Sequence, residues 1–168
     1  GMQVTQIAQL SASQVSAVSA TQINALSATQ IRALASSSVK ELSTGAVQGM
    51  AVQELKYLTV QQVFGLIEDQ IRILSTQQVG GLDDTQVAGI EATDLQAMSA
   101  TQLGALKATQ VSSLQGTQVR ALTTSQFQGA SSGFVGSLSV GQLSAMETTD
   151  VAVLGSAQLR GLTVTKVG

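Results

Sequence analysis

Cysteine, histidine, proline and tryptophan are all missing from the 168 residues. Without cysteine there are no disulfides, no thiolate metal sites and no thiol nucleophile. Without histidine there is no imidazole base, and zinc loses its commonest neutral ligand. A chain without proline has no rigid break in its backbone. Aromatics are nearly absent too, with three Phe and one Tyr, so few large rings are available to anchor a globular core. Charge is sparse: eight Lys or Arg stand against ten Asp or Glu, for a net charge of −2. A nucleic-acid surface needs many clustered cations, so no nucleic-acid partner is expected. No apolar run approaches the roughly 20 residues of a membrane span, and no membrane insertion is expected. Gln3, Thr5, Gln6 and Gln9 interrupt the apolar stretch that a secretory signal peptide would need.

What is present is a repeat. The apolar fraction is 43%, almost all of it aliphatic, which is enough to fold. Written in eights from Gln3, the chain gives twenty full octads to Leu162 and a truncated one over residues 163–168. Ser19–Leu26, Ser27–Leu34 and Ser99–Leu106 are typical, reading S-A-T-Q-I-N-A-L, S-A-T-Q-I-R-A-L and S-A-T-Q-L-G-A-L. The fifth position is apolar in all twenty octads, from Ile7 to Leu159, and so is the eighth, from Leu10 to Leu162. The seventh is usually Ala or Gly. The fourth is Gln in fourteen octads, although the chain holds only 23 Gln, so this column is selected.

One straight helix cannot carry this period. Eight residues overshoot two helical turns by about 80°, so the apolar stripe would wander round the helix. The chain must be reset at each octad, and the reset can be read. Position one is Ser, Thr or Asp in eleven octads, the residues of an N-cap. Position four is then the third helical residue, where Gln reaches back to the N-cap N–H to complete a capping box, as in Ser19 with Gln22 and Ser75 with Gln78. The Leu before the cap and the Val or Ile after the Gln form a hydrophobic staple. Six of the eight basic residues fall at position six, and all acids except Glu41 fall at positions one to four. That polarity matches the dipole of a helix started at position one.

The expected fold is all-α. One repeat domain over 1–168 forms a superhelical solenoid of helices six or seven residues long, one per octad. Helices this short are marginal alone, so stability belongs to the stack. A β-solenoid remains the alternative, because S-x-T-x-V alternates as a strand does. In that case Thr at position three would form a ladder for a glycan or for ice. Against it, Asn24 is the only Asn, Gly keeps no fixed corner, and positions five and eight would face opposite sides of a strand.

No catalytic, cofactor or metal site is expected. The Ser and Thr hydroxyls have no base to activate them. The acidic pairs Glu68-Asp69 and Asp83-Asp84 lack the ligand spacing of a calcium loop. The Gln column reads as helix capping rather than as a ligand ladder. The strongest departure from the pattern is Ala51–Leu74, where Tyr57, Phe64, Ile67 and Ile73 add apolar bulk at positions otherwise small or polar. These four are the candidate interface residues, for self-association or for a protein partner.

The pattern L-[ST]-x-x-Q-[VIL]-x-[AG]-L resembles tandem octad arrays in large bacterial surface or secreted proteins, along nearly the whole chain. That resemblance implies an extracellular or cell-surface, adhesin-associated role. The expected function is a non-enzymatic structural or adhesive scaffold; a protein- or peptide-binding solenoid is the alternative. The array starts in phase at Gln3 and stops mid-unit at Gly168, as one piece of a longer array would. Ends without a polar capping unit predict end-to-end association.

Overall fold

The computed structural model describes residues Met2–Leu162. They form twenty helices, one per octad, from Val4–Ile7 to Ser156–Gly161, with no strand among the described residues. The β-solenoid falls, and the Thr ladder that depended on it falls too. The all-α solenoid stands, and its helices are four to six residues long, with the cap residues completing each octad.

The reset lies at positions eight and one. Leu34 closes its helix at φ −59°, ψ 131°, with its N–H donating to the Ile31 carbonyl. At the other end of that helix, Ser27 opens it at φ −73°, ψ 160°. Two extended residues thus separate successive helices and turn the chain, while every helix keeps the same phase. No described residue has a positive φ. The turn therefore never needs a left-handed glycine, which explains why Gly wanders through the repeat.

Neighbours in sequence do not supply the main helix packing. Each helix packs on the one three octads along, as Val4–Ile7 does on Ala28–Ala33 and Asp84–Ala88 on Ala108–Ser113. Positions five and eight point inward and make one continuous narrow core of Val, Ile, Leu and Met. Each contributes one methyl-rich side chain per octad, worth about 1.5–3 kcal/mol when fully buried.

Position seven is small for a reason that lies 29 residues away. A Cβ on Gly89 would sit 2.6 Å from Cγ1 of Val60, and one on Gly129 would sit 2.7 Å from Cβ of Ala100. A Cβ on Gly65 would run into the main-chain carbonyl of Ser36. In each pair, position seven of one octad meets position two of the octad three before. Gly141 and Gly45, both inside helices, have nothing within 4 Å of such a Cβ. Gly65→Ala is expected to destabilise by about 1–3 kcal/mol, since a carbonyl cannot step aside. Gly141→Ala is expected to stabilise by about 0.5–1 kcal/mol through helix propensity alone. Urea denaturation of both variants checks the pair, and the opposite order would refute the contact.

Candidate functional site

The most ordered polar feature is the Gln column. Its first job is capping, as the sequence implied. Nine octads hold reciprocal boxes; in one, the Ser75 N–H donates to Gln78 Oε1 at 2.8 Å while the Gln78 N–H donates to Ser75 Oγ at 3.1 Å. Where position one cannot accept, half of the box survives: the N–H of Ile67 donates to Gln70 Oε1 at 3.0 Å.

The second job joins turns. With Oε1 committed to the cap, Nε2 points toward the preceding turn. Gln70 donates to the carbonyls of Val39 at 3.0 Å and Leu42 at 2.7 Å. Gln86 donates to Leu55 and Leu58 at 2.8 and 2.7 Å. Ten glutamines from Gln62 to Gln158 repeat this, always to residues 31 and 28 positions earlier. These are positions five and eight of the octad four before. Combined with the packing of each helix on the third one along, this puts between three and four octads in a superhelical turn. The acceptors are chemically apt. Position-eight carbonyls lie at helix ends, where no intrahelical donor remains for them. The glutamines themselves are buried, Gln70 completely.

Six octads lack the glutamine. Ser38, Ala46 and Glu54 stand in three consecutive ones, so the joint to the opening turn keeps one amide bond only, from Gln30 Nε2 to the Met2 carbonyl at 2.6 Å. There Asn24 bridges instead: its Nδ2 donates to the Gly49 carbonyl at 2.9 Å, and the Ala51 N–H donates to its Oδ1 at 3.0 Å. One carboxylate oxygen of Glu54 is buried without a hydrogen-bond partner. Phe134 fills its slot with a buried ring. Asp150 accepts from the Glu147 N–H and from the Thr124 hydroxyl, both at 3.1 Å. At Asp94 the carboxyl is pushed above its ordinary range, chiefly by burial and then by Glu91 and Glu68.

The four candidate interface residues divide. Tyr57 and Ile73, at position seven, lie half-buried against the core. Phe64 and Ile67 stay in solvent, at 52% and 43% exposed, with Val60 beside them in sequence at 37%. A shallow cleft at Val60 and Phe64 continues to Glu91 and Gln115. Arg72 is paired with Glu68 and, at 3.6 Å, with Asp69, both within its own helix and both exposed. Among the described residues, no group of acids is arranged to hold a metal ion. No helix there is long and apolar enough to cross a membrane.

A family model for the ALTTAQ repeat matches residues 87–124. Read as residues, those six letters fit Ala121-Leu122-Thr123-Thr124-Ser125-Gln126 with one difference, at Ser125. They run from the small position seven across the cap to the Gln, which is the stretch that turns the chain and joins it to its neighbour. No curated protein matches the chain. The chain thus carries a repeat array built as a helical solenoid.

Two expectations follow. Gln86→Ala strips the Leu58 carbonyl and the Asp83 N–H of their partner at once and leaves the Leu55 carbonyl only its bond from the Leu58 N–H. It should cost about 1–3 kcal/mol for each group left dry, lowering the urea midpoint well beyond the effect of an exposed Gln48→Ala control. Asp94 binds its proton more tightly folded than unfolded, so stability falls as pH rises through its titration and returns on acidification. Asp94→Gln should therefore raise the Tm more at neutral pH than near pH 4, and an equal gain at both would exclude the carboxylate as the cause.

Proposed function

We propose that the chain is a non-enzymatic structural or adhesive scaffold, a spacer of set length within a larger bacterial surface-associated array. The observation behind this reading is the Gln column. From Gln62 to Gln158 the glutamines that could have formed a ladder for a ligand are committed at both ends, to the cap and to the turn before. The hydroxyls of position one are committed as caps too, which leaves no activated nucleophile in the repeat. Every octad adds the same increment, as in other solenoids whose units meet only their neighbours. The resemblance to octad arrays of bacterial surface proteins supports the setting.

Deleting the four octads Ser75–Leu106 keeps each remaining Gln in register with carbonyls four octads earlier. Small-angle scattering should then show a shorter particle of the same cross-section, with helicity per residue unchanged in circular dichroism. Collapse, or an unchanged length, would remove the spacer reading.

A second reading, a peptide-binding solenoid, draws on the exposed Val60, Phe64 and Ile67. Selection from a displayed peptide library should then enrich sequences whose binding is lost in Phe64→Ser. A library that enriches nothing, or binding indifferent to that change, would dismiss it.

A further inference from the structure

The two ends of the solenoid are unlike, and each shows half of the joint that holds the middle together. In the interior, positions five and eight are both buried, as at Val111 and Leu114. In the first three octads only position five is buried; Leu10, Val18 and Leu26 at position eight are half-open. In the last three, position eight is buried at Leu154 and half-buried at Met146 and Leu162. Position five is open there, with Val151 and Leu159 at 48% and 47% and Leu143 half-buried. Position eight is therefore covered by the turn before, and position five by the turn after.

The hydrogen-bonding groups follow the same polarity. Gln14 and Gln22 hold their caps through Oε1, at 2.9 and 2.8 Å, and both side chains are exposed. This fixes their Nε2 groups in the direction that, farther along, reaches the preceding turn. The N-terminal face thus offers amide donors and position-eight side chains around an apolar hollow of about 330 Å³, lined by Leu10, Val18 and Leu26 among others. At the C-terminal face a second apolar hollow, about 290 Å³, is lined by Leu143, Met146, Val151 and Leu154. That face offers position-five side chains and main-chain carbonyls.

We propose that the chain assembles head to tail with a second copy of itself, the N-terminal turn of one seated on the C-terminal turn of the next. The occupant is fixed by continuity with the internal joint, since the two faces are its two sides. Met2 already fills the position-eight place before Gln3, its carbonyl accepting from Gln30 Nε2 at 2.6 Å. The internal register, carried across the boundary over the whole chain, therefore has Gln14 donate to the carbonyls of Val151 and Leu154. It has Gln22 donate to those of Leu159 and Leu162. Leu10, Val18 and Leu26 then cover the open position-five side chains. Such a contact is heterologous and does not close on itself, so it builds linear assemblies rather than a symmetric dimer. It specifies the self-association that belongs with the scaffold reading and rests on it.

Sedimentation velocity of the 168-residue chain, from low micromolar to millimolar concentration, tests this. The mass is expected to rise continuously past the dimer. In the double variant Gln14→Glu, Gln22→Glu, the carboxylate still accepts from the N-cap N–H, so the helices persist. It cannot donate, and it meets carbonyl oxygens, so this variant should stay monomeric with an unchanged circular dichroism spectrum. Val151→Lys places a charge on the exposed C-terminal face and should also be monomeric. Each variant keeps one good face, so mixing the two should give a one-to-one dimer and nothing longer. A wild type monomeric throughout, a Gln variant that associates as the wild type does, or assembly abolished by Phe64→Ser would each overturn the joint. None of those results bears on the shortening expected of the octad deletion, so the spacer reading stands or falls separately.

Discussion

One side chain holds the solenoid together at two scales. A glutamine amide has an acceptor and a donor at opposite corners, and here they serve different partners. The oxygen caps the helix in which the residue lies. The nitrogen reaches a carbonyl pair in the turn before. Because the cap fixes the side chain, the donor is already aimed, and the ordering cost of a long flexible side chain is shared between two contacts. An asparagine is too short for both tasks. A glutamate can accept but cannot donate to those carbonyls, and one buried carboxylate oxygen of Glu54 has no partner.

Around that contact the rest of the octad is constrained. Where position seven is glycine, position two of an earlier octad presses on it, at Gly65 through a main-chain carbonyl. Positions five and eight supply the core, one facing each way along the axis. Positions eight and one bend the chain without left-handed geometry. The remaining positions are free, and there the sequence varies most.

Much of this could be read from the residues. The period, the capping box, the early acids and late bases, and the all-helical class follow from spacings within a single octad. The second partner of each glutamine could not be read. It lies 28 to 31 residues away, and its identity depends on the size of the superhelical turn, a sum of many small dihedral preferences that no single octad states. The same distance hid the role of Asn24, whose partners lie 25 and 27 residues on. The bulky stretch was visible as a departure. Which of its members turn inward was not, since Tyr57 and Ile73 differ from Phe64 and Ile67 in the position they occupy within the octad.

The gap in the glutamine column has a mechanical meaning. Tension along the solenoid axis would load the amide bonds between successive turns, several in parallel across each joint. Where Ser38, Ala46 and Glu54 follow one another, that load falls on apolar contacts, on the bridge from Asn24 and on the one amide bond from Gln30 to Met2. A pulled chain would tear there first, peeling away its opening turn while the glutamine-laced body behind it still holds.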